Sequence, residues 1–433
     1  MRFGQLAVLR YGGFTTFLFA RLLSTIGAQM QGVAVGWQIY DKTHDVRNLG
    51  YVGLSLFLPF LIFILPSGGV ADRYNRRRVL AVTVAVHAAS AAALFALTVG
   101  PWLGVWPIFG VLFVLGSARA FAMPAGQALV PNLVPLSQLG SAVALSTSTF
   151  HAAVILGPVV GGFLYLLGPA VVYLTVVVLQ LLACGFLLAV RSTQERRAAT
   201  SWRLHDALEG FRFVLSRRVI FGAISLDLFV VLFGGATALL PAYAHDVLQS
   251  SPAALGLLRA SPAVGAVITT AVLAVSPIRR HVGRWMFGGV VLFGLATIGF
   301  GLARSLVPAA LCLALLGAGD MVSVYVRHLL VQVETPDAIR GRVSAVNSIF
   351  IGASNELGEF ESGITAGWFG LIPAILLGGV ASVGVAGVWA WRFKELSRMD
   401  RFPHDVQEAQ GKPDTPELAE VLSQRDPDAP PAP

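Results

Sequence analysis

An all-α membrane protein of twelve transmembrane helices, arranged as two six-helix bundles, is the fold class this sequence predicts. Three observations predict it. Of 433 residues, 55% are hydrophobic and only 12% are charged, about half the charge a soluble domain needs to cover a water-facing surface. Apolar runs of about twenty residues, the length that crosses a bilayer core of roughly 30 Å, recur along almost the whole chain. The two halves of the chain also echo each other weakly. Inside a bilayer every backbone polar group needs an internal partner, so runs of this length mean helices. The alternation of period two that marks a membrane barrel is absent.

Taken in order, the apolar runs place spans at 14–40, 49–71, 79–100, 103–127, 140–166 and 169–190, then at 219–244, 253–276, 284–303, 306–328, 343–368 and 371–392. The first run is too long for the apolar part of a signal peptide and carries Arg21, so it is expected to remain as the first helix. An even number of spans puts both termini on one side. Arg73, Arg76, Arg77, Arg78, the cluster from Arg191 to Arg218, Arg279, Arg280, Arg284, Arg340 and Arg342 all fall in the even-numbered connections. The odd-numbered ones hold little beyond Lys42, Arg47 and Arg304. Positive charge stays cytoplasmic, which predicts cytoplasmic termini in a cell (inner) membrane protein. The same bias accounts for the net charge of +8 without a nucleic-acid partner.

This divides the chain into an N-terminal bundle (1–190), a cytoplasmic linker (191–218), a C-terminal bundle (219–392) and a tail (393–433). In the linker Leu204, Leu208, Phe211 and Leu215 recur at helical spacing. They suit an amphipathic interfacial helix, either a bridge between the halves or a plain basic anchor. The tail is rich in Pro, Asp and Glu and ends DPDAPPAP, a composition expected to be disordered. The repeat aligns GSARAFAMPAGQALVPNLV (116–134) with GAGDMVSVYVRHLLVQVET (317–335), making Arg119 and Asp320 counterparts. Two related bundles around a central site are a common transporter plan.

Eight ionisable residues fall inside spans: Arg21, Arg119, Asp227, Arg259, Asp320, Glu356, Glu359 and Glu361. Each costs on the order of 2.5–3.5 kcal/mol at mid-membrane, so each should face a cavity or a partner. Arg21, Arg119, Asp227 and Asp320 read either as proton-coupling or substrate residues or as fixed ion pairs that hold the halves together; Glu356 and Glu359 are a second proton-site candidate, and Glu361, on another face, is not ranked with them. Glu356 and Glu359 are three apart and share a helix face, where like charges favour protonation of one. Trp37, Phe229 and Tyr325 are candidate cavity aromatics, or equally packing residues. His87 and His151 read as packing residues. Cys184 and Cys312 both lie in apolar helices, so neither a disulfide nor a metal site is expected, and no cofactor. No H-E-x-x-H, G-x-S-x-G or Walker A pattern occurs, which argues against an enzyme and against direct ATP drive.

The stretch GGVADRYNRRRVL (68–80) joins the second and third spans. Its Gly68, Ala71, Asp72, Arg73, Arg76 and Arg77 resemble the G-x-L-A-D-R-x-G-R-R signature of the major facilitator superfamily. GPVVGG (157–162), with Gly157, Pro158, Gly161 and Gly162, is similar to that superfamily's antiporter motif, and Arg119 matches its basic residue in the fourth span. LFGGATALLPAYAHDVL and GRVSAVNSIFIGASNELGEFESG resemble the branch of the enterobactin exporter and macrolide efflux pumps. Asn75 departs from the pattern, standing where glycine is usual; asparagine is next best to glycine for a left-handed turn. The second-half loop SPIRRHVGRWM (276–286) keeps Gly283 and Arg284 but has no Asp.

What the resemblance implies is a secondary active transporter that exports a small amphipathic molecule against protons by alternating access. Asp72, with the loop arginines, would act in gating by pairing in one conformation only; the competing reading is a turn that merely satisfies topology. Spans one, four, seven and ten would line the cavity, so that Arg21, Arg119, Asp227 and Asp320 would converge there. An uncoupled facilitator and a non-transporting membrane sensor or partner protein are the alternatives.

Overall fold

The computed structural model describes residues 8–101, 103–190, 211–336 and 339–402; within its helices the side chains at 64–66, 68, 71, 72, 127, 128, 136, 340, 341, 345, 348 and 349 stand outside the description. All regular elements of the described residues are helical. Twelve long helices follow one another: α1 (Gly12–Thr43), α2 (Arg47–Arg73), α3 (Arg76–Val99), α4 (Trp106–Leu129), α5 (Leu139–Tyr165), α6 (Pro169–Ala189), α7 (Arg218–Phe233), α8 (Pro252–Val275), α9 (Val282–Leu302), α10 (Leu306–Glu334), α11 (Arg340–Phe369) and α12 (Leu371–Arg392). Nine spans among the described residues are long and apolar enough to cross a membrane, counting α7 together with the turns that carry it on to Val247 as one. Two of the others, α1 and α11, run to 32 and 30 residues but carry their polar residues in mid-helix, Gln29, Gln31 and Gln38 in one and Asn347 to Ser362 in the other. A helix can be that polar in a bilayer only where it turns the polar face inward.

The two halves pack alike. In the first, α1 lies on α5 and α6, α2 on α4, and α3 on α4 and α6. In the second, α7 lies on α11 and α12, α8 on α10, and α9 on α10 and α12. The two most extensive contacts between the halves, α2 with α11 and α5 with α8, map onto each other by the same correspondence. The weak sequence repeat is therefore a repeat of packing. Apolar clusters fill each half: Phe14, Leu80, Leu129 and Leu187 in one, Met30, Leu94, Leu112 and Val176 in another, and Leu226, Leu258, Phe293, Leu313 and Phe300 in the second bundle.

The closest approaches between the halves gather at the face away from the termini. There Gly50 of α2 meets Phe360 and Gly363 of α11, the Arg47 guanidinium donates to the Gly367 carbonyl at 3.1 Å, and the Tyr40 hydroxyl donates to Asp246. GPVVGG belongs to this junction. A Cβ on Gly162 would stand 2.5 Å from the Pro252 carbonyl oxygen, and one on Gly256 2.3 Å from that of Pro158, so backbone meets backbone where α5 crosses α8. Gly157 and Gly161, one turn apart, put the same closeness against Gln29 and Met30 of α1.

Three expectations are corrected. The seventh span is not one continuous helix over 219–244. After Phe233 the chain breaks at Gly234-Gly235, then runs as a 3-10 turn (Ala236–Leu239), an α turn (Leu240–Ala242) and a π turn (Tyr243–Val247). A Cβ on Gly235 would lie 2.3 Å from the Gly358 carbonyl oxygen, so α7 touches α11 with bare backbone at the break, and Pro241 removes a helical donor just beyond. Asn75 is not left-handed: at φ −64°, ψ 113° it is the N-cap of α3, its side-chain oxygen accepting from the Arg77 and Arg78 amides at 3.1 and 3.3 Å. Asparagine is thus at this position a cap rather than a glycine substitute.

The third correction concerns the tail, which is structured from 393 to 402. A short helix, Lys394–Ser397, is followed by backbone bonds from the Val282 and Gly283 amides to the Asp400 and Met399 carbonyls, at 3.3 and 2.9 Å. Leu396 and Phe402 are buried. The remaining tail (403–433) and most of the linker (191–210), with Leu204 and Leu208, lie outside the described residues. Of the expected amphipathic helix, 211–216 is helical; Phe211 stacks on Phe350 and Val214 is buried with Ile220, Val331 and Val343.

Candidate functional site: buried charges in and between the bundles

The intramembrane charges sort into three groups rather than one. In the second bundle Asp227 of α7 accepts from the Arg327 guanidinium of α10, with side-chain exposures of 6% and 1%. Asp320, two turns before Arg327 on the same helix, faces with Asp227 a small void lined by Val230, Val290, Phe293 and Ser323. A guanidinium buried this far is tolerable only because a carboxylate neutralises it; either charge alone would be strongly destabilising. Asp320 therefore stands as a second carboxylate beside an ion pair already balanced.

The second group crosses between the halves. Arg119 of α4 donates to Glu356 of α11 at 2.8 Å, the arginine half-exposed and the glutamate mostly covered. One turn on, Glu359 lies against Gly53 of α2, its Oε2 3.1 Å from where a Cβ would sit. Arg259 of α8 fits against Gly32 and Gly36 of α1 and is within electrostatic reach of Glu359. Two carboxylates of one face of α11 thus meet two guanidinium groups carried by helices of both halves. Glu361 is turned away, accepting from Thr365 at 2.7 Å.

The third group is the smallest. Arg21 of α1 donates to the Ser146 hydroxyl of α5 at 2.9 Å and lies over the Phe150 ring at 5.5 Å. Of the four residues expected to line one cavity, Asp227 and Asp320 face the same void, while Arg21 and Arg119 take partners on other helices, Ser146 and Glu356. Arg119 and Asp320, equivalent in the repeat, have different partners. Trp37 packs in the junction against Tyr165 and His245, and Phe229 between Phe233 and Trp389, so these two are packing residues.

In the 68–80 stretch, Gly68 and Asp72 occupy the last turns of α2, and the Asp72 side chain lies outside the described ones. Arg73 is exposed. The Arg77 guanidinium reaches the end of α6, donating to the Val190 carbonyl at 2.7 Å and the Leu188 carbonyl at 3.4 Å. A cation on the unpaired carbonyls of a helix C-terminus is stabilising there, so this loop arginine ties α3 to α6. Arg76 opens α3 and is partnered.

Sequence reasoning missed Arg327. It lies at the edge of the tenth span, 306–328, where a charge reads as the membrane boundary, yet α10 continues to Glu334 and buries it. The signal available was the repeat, since Arg327 falls within the same aligned segment as Asp320.

With this geometry in place, comparison with known proteins gives a consistent result. The family described as transmembrane secretion effector matches residues 3–427. The enterobactin exporter EntS of Shigella boydii serotype 18 is 28% identical over 399 residues, 86% of this chain and 85% of the exporter, and EntS of Escherichia coli O157:H7 matches with the same identity and coverage. Among solved structures, a bacterial homologue of the human lysosomal transporter Spinster, inward-facing and unoccupied, superposes with a TM-score of 0.71 at 15% identity, covering 92% of this chain and 98% of that one. A D-xylose-proton symporter superposes with a TM-score of 0.65 at 16% identity over 89% of this chain and 98% of its own. At such identities the superpositions speak for the fold alone.

Proposed function

We infer that this chain, which belongs to the transmembrane secretion effector family of major facilitator transporters, is a proton-coupled exporter of a small amphipathic, siderophore- or drug-like molecule. It works by alternating access in the inner membrane with both termini cytoplasmic. Transport across a membrane follows from the family and the twelve-helix fold; cargo, direction and coupling are the proposal. The observation that carries it is the Arg119–Glu356 ion pair, because it spans the halves. Rocking one bundle against the other must separate α4 from α11, freeing the mostly covered Glu356 carboxylate to receive a proton or a cationic group of the cargo.

Closure on the face away from the termini supports a cytoplasm-open state, with the arginine-rich connections inside. The name of the 28%-identical relatives supports outward transport of a siderophore-class cargo. Asp320 is the residue we assign to proton carriage, since Asp227 is already matched to Arg327. Asp72 and the loop arginines are assigned to the gate of the cytoplasmic face.

Efflux of a candidate cargo from liposomes containing the purified protein, with and without an inward pH gradient, is the test. Gradient-driven efflux, reduced at least tenfold in Asp320→Asn while gradient-free exchange persists, is the expected result. Efflux indifferent to the gradient would leave an uncoupled facilitator; no movement of any cargo would leave a sensor or partner protein.

A further inference from the structure

We propose that His44, His245 and Asp246 bind a transition-metal ion of the Zn2+ class at the junction of the two halves, on the face away from the termini, and that the ion clamps that face shut. One ligand atom from each of the three lies within 4.8 Å of the other two. His44 ends α1 in the left-handed region (φ 48°, ψ 24°), its amide bonded to the Tyr40 carbonyl at 2.8 Å. His245 and Asp246 lie in the π turn that follows the break in α7. Asp41 stands 3.9 Å from His245 Nε2, within reach as a fourth ligand.

The chemistry of this set is selective. Two imidazoles with one or two carboxylates suit Zn2+ and its neighbours, whereas Mg2+ and Ca2+ prefer all-oxygen sites. Around a tetrahedral ion with bonds of roughly 2.0–2.1 Å, ligand atoms stand about 3.4 Å apart. The side chains must therefore draw in by little more than an ångström, and His44 and Asp246 are exposed enough to do so. An outer shell exists as well. The proposed ligands already touch, Asp246 Oδ1 lying 2.7 Å from His245 Nδ1; outside them the Tyr40 hydroxyl donates to Asp246 Oδ2, and the Trp37 and Tyr40 rings stand 5.6 and 5.7 Å from the His245 ring. Such partners orient ligands before the ion arrives.

Asp41 and His44 belong to the first half and His245 and Asp246 to the second, so the full set exists only while the halves meet here. An ion that binds one conformation and not the other stabilises it by mass action. The clamp rests on the alternating-access reading; the site itself does not.

Titration of the purified full-length protein with ZnCl2 by calorimetry, with MgCl2 as control, tests the site. One Zn2+ per chain is expected, weakened at least tenfold by His44→Ala and by His245→Ala in separate variants that remain monodisperse. No Zn2+ binding, or affinity unchanged in both variants, overturns the site. Liposome efflux with Zn2+ added to the face away from the termini tests the clamp: inhibition in the unsubstituted protein and none in His44→Ala is expected, and efflux unaffected at saturating Zn2+ overturns it. Zn2+ binding in a protein that moves no cargo would sink the export reading and leave the site standing.

Discussion

Arg327 is the residue on which the second bundle depends most. Its side chain is 1% exposed, its charge is answered by Asp227, and its Nε has no partner of its own. Removing one member of such a pair strands the other in low dielectric at a cost of about 3–5 kcal/mol, whereas replacing both by neutral groups can be nearly neutral. Asp227→Asn and Arg327→Gln are each expected to lower the apparent melting temperature in detergent sharply, and the double variant to recover most of the loss. Single variants no worse than the double would mean the two charges are not each other's partner. The same residue shows how far the sequence could be read. Asp227, Asp320, Arg119 and Glu356 were legible because each interrupts an apolar run, and a charge in mid-run has few physical excuses. Arg327 ends one, where interface and interior charges look alike. Pairing was not legible at all: the repeat equates Arg119 with Asp320, but α4 faces α11 across the junction while α10 faces α7 within its own bundle.

At the scale of elements, helix positions were readable to a few residues because the bilayer imposes their length. The break in α7 was not, since Gly234-Gly235 lies within an apolar run and the reason for it, the bare backbone of Gly358, is far away in sequence. The first residues of the tail, 393–402, were misread for a related reason. Composition describes a segment by itself, and 393–402 is ordered by what it docks on. Asp400 supplies to the second-half loop the carboxylate its own sequence lacks. It accepts from the His281 amide at 3.2 Å and meets the His281 ring at 2.8 Å and Arg280 at 3.8 Å, holding His281 in the left-handed region at φ 57°. What desolvation there is works upward on Asp400, but the His281 amide and ring and the Arg280 and Arg401 charges outweigh it and hold the carboxyl below its usual range. A carboxyl lowered on docking favours the docked tail at pH above the ordinary carboxylate range, and that contribution is lost as pH falls through the lowered value. Hydrogen exchange at the Val282 and Gly283 amides is therefore expected to be several-fold faster in Asp400→Asn than in the unsubstituted protein at neutral pH. The ratio should approach one in acid, and a ratio of one at neutral pH would show that the carboxylate does not hold the tail.

For the molecule as a whole, the question is what balances its two open states. Backbone contacts at Gly50–Gly363 and Gly162–Gly256 resist opening of the closed face through shape, and they act only over the last ångström of approach. The Arg119–Glu356 pair acts over a longer distance, through charge. Arg119 is 54% exposed on its side chain and Glu356 14%, so solvent screens the pair and its worth is about 0.2–1 kcal/mol rather than that of a buried bridge. That is small for stability but large for a conformational balance, since about 1 kcal/mol is roughly a fivefold shift in population. Arg119→Glu sets two carboxylates against each other across the junction and should drive the halves apart on the face away from the termini. Rigid bundles that part on one face approach on the other. Spin labels at Arg78→Cys and Arg284→Cys, in the first turns of the equivalent helices α3 and α9 and in a background lacking Cys184 and Cys312, would then report shorter distances by pulsed electron resonance. Adding Glu356→Arg restores opposite charges with their sides exchanged and should return the longer distances. If the single reversal leaves the distances unchanged, the pair does not set the balance between states and shape alone decides it; if the double reversal fails to rescue, Arg119 acts through a partner other than Glu356.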